Sequence, residues 1–295
     1  YIPNRLSEGY GVNREAVDRL AQEGVRLIVT VDCGITAVEE VEYAKELGID
    51  LVITDHHECK EELPAAVAVV DPHRKDCPYP FKGLCGAAVA YKLMEALYES
   101  MGRDSSDIDY LMEEVAFATV GDVMDLTGEN RIFVRQGLEM LQSTANPGLR
   151  SLMECTGIDR KSVSTYHIGF VLGPCLNASG RLDTAKRALS LLSARSKQEA
   201  DLLAGDLKAL NDSRKEMTEA AVREAVEQVE HTEAGRQRVL VLYLPDCHES
   251  LAGIVAGRIR ERYCRPAFVI TDSGDGELAK GSGRSIEAYH MYEEL

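Results

Sequence analysis

Between residues 25 and 73 the chain alternates apolar runs with helical periodicity, and each apolar run stops at an acid. "VRLIVTVDCG" (25–34), "IDLVITDHH" (49–57) and "AVAVVDPH" (66–73) read as strands. "TAVEEVEYAKELG" (36–48) lies between the first two and reads as a helix, with Thr36 as its N-cap and Gly48 as its stop. A strand returned by a helix to a second strand, with such short connections, makes a parallel sheet with right-handed crossovers. The first run, mostly apolar, predicts a buried parallel strand ending in Asp32-Cys33-Gly34. Upstream, the stripe Ala16, Val17, Leu20 and Ala21, closed by Gly24, predicts another helix. The expected fold class is therefore α/β. In open parallel sheets ligands collect at the carboxyl ends of strands. Asp32 and the triplet Asp55, His56 and His57 stand at such ends.

Further along, "GAAVAYKLMEALYES" (86–100) predicts a helix with small residues on one side. Residues 107–142 read as helical with a break at "GDVMDLTGEN" (121–130), and "GLRSLMECTGI" (148–158) adds a short helix. "GFVLGPCLNASGRLDTA" (169–185) reads as a glycine-rich loop. Residues 188–230 hold sustained helical periodicity, a short helix followed by one long charged helix of the kind that links domains. "RVLVLYL", "GIVAGRIRERY" (253–263) and "RPAFVITD" (265–272) then give strand, helix and strand, a second α/β unit. The chain of 295 residues is long enough for two such units.

Composition narrows the function classes. Hydrophobic residues make up 45% and charged ones 28%, as in a soluble globular protein, and no apolar run is long enough to cross a membrane. No basic-then-apolar leader opens the chain. The net charge of −16 argues against a basic nucleic-acid-binding body, yet a local positive groove can sit on an acidic protein, and acids are needed to hold divalent metals. Cys33, Cys59, Cys77, Cys85, Cys155, Cys175, Cys247 and Cys264 form no CxxC pair, which excludes a zinc ribbon. Free thiols inside apolar runs fit a reducing cytoplasm.

Three groups could carry chemistry. Asp32, Asp55, His56, His57 and Asp122 offer oxygen and nitrogen donors, a mixture suited to Mn²⁺ or Mg²⁺ and to two-metal phosphoryl displacement. The competing reading is that strand-end acids cap the following helices and the histidines bond locally. It is the stronger one for Asp32 taken singly and the weaker one for an adjacent Asp-His-His. "GPCLNASGR" (173–181) offers backbone amides that can cradle an anion, and Arg181 a guanidinium fork, against the alternative of an ordinary loop. "KGSGRS" (280–285) and "CHESLAGIVAGR" (247–258) offer close backbone approach at Gly281 and Gly283, charge at Lys280 and Arg284, and His248 as a phosphate ligand or helix cap. Solvated turns are the alternative for both.

"VDCGIT", "TDHH", "GDVMDL", "GPCLNASGR", "HESLAGIVAGR" and "KGSGRS", in that order, resemble the motifs of RecJ-type exonucleases of the DHH phosphoesterase superfamily. The resemblance runs from "IPNRLSEGYG" to "GSGRSIEAYHMYEEL". It implies a parallel-sheet DHH phosphoesterase domain over 1–194, a connecting helix over 195–234 and a smaller α/β DHH-associated domain over 235–295. It implies a metal-dependent exonuclease that degrades single-stranded DNA from 5′ to 3′ in recombination and repair, with two Mn²⁺ or Mg²⁺ ions in the intact protein. Asp32, His56 and Asp122 resemble metal ligands, while Asp55 and His57 sit behind them or face the substrate. Asn177, Arg181, His248, Ser282 and Arg284 resemble the substrate-binding set. The expected partners are single-stranded DNA and a helicase or single-strand-binding protein, with no membrane, and the expected state is a cytoplasmic monomer.

The family's first motif, a His with an Asp-x-Asp-Gly run, does not occur in these residues and is expected upstream of Tyr1. The end of the DHH-associated domain and an oligonucleotide-binding fold are expected beyond Leu295. The chain as given is then expected to bind metal weakly and to be inactive by itself. Two rivals remain: a small DHH phosphodiesterase for short oligonucleotides or cyclic dinucleotides, and a non-catalytic single-strand-binding fragment.

Overall fold

A computed structural model describes residues 1–4, 8–273 and 278–294. Residues 5–7, part of the "IPNRLSEGYG" stretch, and residue 295 lie outside the described residues. The chain divides into two compact units, one of residues 1–180 and 184–208, the other of residues 181–183 and 209–295.

The first unit opens with α1 (Arg14–Gln22), whose N-cap Asn13 accepts the Ala16 N–H at 2.8 Å. Gly24 follows with φ +79°, the left-handed stop expected of glycine. β1 (Leu27–Val31), α2 (Val38–Glu46), β2 (Asp50–Thr54) and β3 (Ala68–Val70) build a three-stranded parallel sheet in the order β1-β2-β3. Two expectations are corrected here. Thr36 does not cap α2: residues 34–37 form a turn closed by Ala37 N–H to the Gly34 carbonyl at 3.0 Å, so the helix starts later and Ala37 is its N-cap, without a side-chain cap bond. β1 is not buried on both faces: among the described residues it is the outer strand of its sheet, and Leu27, Val29 and Val31 on one face are about half exposed while Thr30 turns inward. On the covered face Val17, Val41, Ala44, Ile49, Leu51 and Ile53 form a buried core between the sheet and α1 and α2.

α3 (Gly86–Ser100), α4 (Met112–Gly121) and α5 (Gly128–Leu141) pack around Leu84, Ala88, Val89, Tyr91, Val115 and Phe133. α6 (Pro147–Cys155) follows, with Pro147 in the first turn, where its missing N–H costs nothing. Residues 165–182 are not a loop. A short α7 (Thr165–His167) runs into a π-helical turn over Ile168–Leu172 and then α8 (Gly173–Leu182). Leu172, Cys175, Ala178 and Ser179 are buried at helical spacing, and Ser179 Oγ donates to the Leu176 carbonyl at 2.9 Å. That apolar face outweighs the glycines. Gly173 is required by close approach, since a Cβ there would lie 2.8 Å from the Ile168 carbonyl. Because the backbone amides of this segment bond within the helix, they do not form the anion cradle expected of a loop. α9 (Lys186–Leu192) and the 35-residue α10 (Lys197–His231) follow, and the division between the units falls within α10.

In the second unit β4 (Leu240–Tyr243), α11 (Ala252–Tyr263), β5 (Ala267–Asp272) and β6 (Ala279–Arg284) form a sheet in which β4 pairs β5 in parallel and β6 pairs β5 antiparallel. "KGSGRS" is thus mostly strand, not a turn. Gly283 pairs with Phe268, and a Cβ there would meet the Phe268 ring at 2.8 Å. The core combines Leu240, Leu242, Val255, Ile259 and Val269 with Ala225 and Val229 of α10.

Candidate metal centre and phosphate-binding residues

The register of the first sheet brings its strand ends level. Val31 pairs with Thr54 and Thr54 with Val70, so Asp32, Asp55 and Asp71 are the next residues on three adjacent strands. Two further backbone bonds, Asp32 N–H to the Thr54 carbonyl and Asp55 N–H to the Val70 carbonyl, extend the ladder to them. Asp32 then takes φ +64°, a left-handed conformation that Asp tolerates better than most residues. Its side chain lies against Gly86 at the start of α3, where a Cβ would sit 2.5 Å from Asp32 Cβ. Only glycine leaves that space. Asp122 caps the C-terminus of α4, and Val123 after it has φ +59°, a rare conformation for a β-branched residue.

These elements converge on His56. Its Nε2 lies 3.0 Å from Asp32 Oδ1 and 3.3 Å from Asp122 Oδ2. The hydrogen bond to Asp32 holds the imidazole pKa above its ordinary value, burial works against it, and the charges of Asp32, Asp122 and Asp55 add to the rise. Burial raises the Asp122 carboxyl, and the neighbouring Asp32 charge adds to that while His56 opposes it. Asp55 is almost fully buried. Burial pushes its carboxyl up, but bonds from the Ile35 N–H, the His57 ring and the His56 and His57 N–H groups outweigh this and hold it below the usual range. An ionised Asp55 only accepts, so His57 Nδ1, 2.7 Å away, is the donor, and Nε2 is the nitrogen that the neutral ring would offer to a cation. Asp55 is therefore a staple for the strand-end loops, and His57 turns a free nitrogen outward.

Asp32, His56 and His57 each offer a ligand atom within 4.8 Å of the others. With Asp122 on the same imidazole, the donors are carboxylate oxygens and ring nitrogens with no thiolate. The set fits a hard divalent cation such as Mn²⁺ or Mg²⁺, which would share the atoms that now share a proton. Asn177 on α8 lines the same cavity of about 440 Å³ as Asp32, Gly86, Phe117 and Asp122.

The remaining predicted residues belong to the second unit. Arg181 donates to the Ser250 carbonyl at 3.1 Å. His248 Nδ1 accepts the Ser250 N–H at 3.3 Å and lies 2.8 Å from Ser250 Oγ, so it caps the short 3₁₀ turn that leads into α11. Arg284 donates to Ser282 Oγ at 3.3 Å, and both press on Gly253 in the first turn of α11, where a Cβ would be 2.8 Å from either side chain. Lys280 pairs with Glu249 at 2.8 Å. Guanidinium, ammonium and hydroxyl donors thus gather at the N-terminus of α11, where the helix dipole also favours an anion.

Sequence reasoning passed over Asp71, His73, Gly86 and Val123. The signal for the first two was the one that exposed Asp32 and Asp55: "AVAVVDPH" also ends a strand on an acid followed by an imidazole. Gly86 and Val123 left none, because close approach and φ are not written in residue type.

A model of the DHH family, N-terminal domain, matches residues 1–119. The single-stranded-DNA-specific exonuclease RecJ of Escherichia coli K12 is 40% identical over the whole of this chain and 53% of its own length, and that of Bacillus subtilis 168 is 40% identical over the whole chain and 37% of its own length. The chain spans about half the length of the first of these relatives. A crystal structure of exonuclease RecJ bound to manganese superposes with a TM-score of 0.86 and 34% identity, over 99% of this chain and 71% of that one. RecJ from Thermus thermophilus in complex with Mn²⁺ gives 0.80 and 33%, over 92% and 39%. Matched along its whole length in sequence and fold, with acids and imidazoles at the strand tips, the chain belongs to the RecJ family.

Proposed function

We propose that this chain is the catalytic part of a metal-dependent exonuclease that hydrolyses phosphodiester bonds of single-stranded DNA from the 5′ end, in recombination and repair. One observation carries the reading: Asp32 and Asp122, from separate elements, meet the Nε2 of His56 at 3.0 and 3.3 Å in a chain of the RecJ family. Mn²⁺ or Mg²⁺ bound there supplies Lewis-acid activation of phosphate and water. Asp32, His56 and Asp122 hold it, and His57 adds a nitrogen whose direction Asp55 fixes through Nδ1. Asn177, in the same cavity, orients the substrate. Arg181 and Arg284 in the second unit neutralise phosphate charge, Ser282 donates a hydrogen bond to it, and His248 caps the turn whose Ser250 carbonyl holds Arg181.

Among the described residues no helix is long and apolar enough to cross a membrane. The eight cysteines are free, which supports a reducing compartment, and we assign the chain to the cytoplasm. By resemblance it acts as a monomer alongside a helicase or a single-strand-binding protein. The test is degradation of 5′-labelled single strands, duplexes and dinucleotides with Mn²⁺ or Mg²⁺. Release of mononucleotides from the 5′ end of single strands supports the proposal. Cleavage confined to dinucleotides, or binding of single strands without cleavage in a version extended upstream of Tyr1, contradicts it.

A further inference from the structure

We propose that His73 is a positioning residue for the metal centre: it grips the backbone carbonyl of His56 and so fixes the direction of that residue's imidazole. The inference rests on the metal reading above.

β3 ends at Val70, and the chain continues as Asp71-Pro72-His73. The Asp71 side chain is fully buried, and its Oδ1 accepts the His73 N–H at 2.8 Å. This local turn, with φ of Pro72 fixed by its ring, folds the His73 side chain back toward the end of β2. His73 Nδ1 then lies 2.6 Å from the His56 carbonyl oxygen. A carbonyl only accepts, so Nδ1 must carry the hydrogen, and the tautomer follows from the contact. Asp71 Oδ1 is 3.9 Å from the same nitrogen, too far to compete for that hydrogen.

His56 is therefore held at both ends of its backbone. Its N–H donates to Asp55 Oδ1 at 2.8 Å, and its carbonyl accepts from His73. Between those two anchors the ring reaches Asp32 and Asp122. One clamp alone would leave the residue free to pivot about the other, and a pivot at the backbone becomes a displacement at Nε2. The sequence reading placed Asp55 behind the ligands or facing the substrate and passed over His73, so it showed neither clamp.

A mere latch for the 71–77 loop is the competing role, and the loop has other latches. Arg74 donates from its side chain to the Val69 carbonyl and to Asp76, the Arg74 N–H donates to the Asp71 carbonyl, and the Cys77 N–H donates to the Arg74 carbonyl. His73 is the residue of this loop whose ring is bonded to the backbone of a proposed ligand.

Asparagine separates the roles, because its side-chain amide nitrogen stands where histidine Nδ1 does and can donate to the same carbonyl, while leucine fills the space and cannot donate. The experiment titrates Mn²⁺ into the chain, its His73→Asn variant and its His73→Leu variant at one pH, following free Mn²⁺ by electron paramagnetic resonance. Inorganic phosphate binding is measured in parallel as a readout of the second unit. The expected result is that His73→Leu weakens Mn²⁺ binding about tenfold or more, as loss of a group behind a ligand does. His73→Asn should stay within about threefold of the unaltered chain, on the same scale of effects. Phosphate binding should not change. The inference is overturned if His73→Leu binds Mn²⁺ as tightly as the unaltered chain, if His73→Asn loses as much as His73→Leu, or if phosphate binding falls in step with Mn²⁺ binding, since His73 then supports the fold and not the ligand. An unaltered chain that binds no Mn²⁺ overturns the metal reading itself, an outcome distinct from the other three.

Discussion

In the first unit the strand ends gather acids, while in the second the residues around the start of α11 gather cations and hydroxyls. Both units hold parallel strands joined through a helix, and the second adds the antiparallel β6. Asp32, Asp55 and Asp71 follow adjacent strands, with Asp122 on the same imidazole as Asp32. Arg181, Lys280, Arg284, Ser250 and Ser282 crowd the other site. The same fold grammar serves opposite charges, the first suited to a cation and the second to an anion. A net charge of −16 describes neither. The difference also shows in how each site is held. The acidic one depends on a buried carboxylate that binds backbone amides, whereas the basic one stands at a helix end with Arg284 exposed.

Removing the buried staple should have the largest effect. Asp55→Ala leaves the Ile35 and His56 N–H groups without their acceptor and should cost about 3 kcal/mol in chemical denaturation. A cost below about 1 kcal/mol, the worth of one ordinary hydrogen bond, would show that the loops hold themselves. The sign of the pH dependence follows from the carboxyl's depressed pKa. Its contribution is fully present above the unfolded value of about 3.9 and is lost as pH falls through the lower folded value. The gap between Asp55→Ala and the unaltered chain should therefore narrow only below about pH 4. The rises at Asp122 and His56 are common to both proteins and largely cancel in the difference.

A smaller effect should separate the two sites. Arg284→Ala should weaken binding of inorganic phosphate about tenfold, the loss of one charge-assisted contact, with Mn²⁺ affinity unchanged. Isothermal titration with each ion reads both numbers. Equal losses for phosphate and Mn²⁺ would merge what the comparison keeps apart.

The smallest effect compares two helix ends. Val123 after α4 and Cys264 after α11 both have left-handed backbone, at φ +59° and +51°. Val123→Gly should raise stability by up to about 1 kcal/mol, because strain at a β-branched residue slightly exceeds the entropy glycine adds to the unfolded chain. The residue is 87% exposed, so little packing is lost. Cys264→Gly should gain less. Thermal melts of the two variants decide, and a larger gain at Cys264 would show that Val123 is not the more strained end.

Much of this was legible in the sequence, for identifiable reasons. Apolar runs ending in "VDCG" and "TDHH" announced parallel strands with polar tips, because a short continuous apolar run bounded by polar residues is visible without tertiary help. The "GPCLNASGR" segment was misread as a loop because its glycines mask a helical apolar face: only with Cys175, Ala178 and Ser179 buried does the period emerge. The strand formed by "KGSGRS" was hidden likewise, since glycine has no β preference and Gly283 is there to let Phe268 approach. For the proposed metal centre, residue type pointed to Asp32, His56 and Asp122. The roles of Asp55 and His73 are bonds to backbone atoms, which only coordinates reveal.

Manganese titration of the unaltered chain beside Asp32→Ala and Arg284→Ala tests the central claim most directly. If Asp32 and His56 form a cation site at the strand tips, Asp32→Ala should lose Mn²⁺ affinity by about a hundredfold, the upper end of losses around a metal, while Arg284→Ala binds like the unaltered chain. Asp32→Ala binding Mn²⁺ as tightly as the unaltered chain would contradict the account.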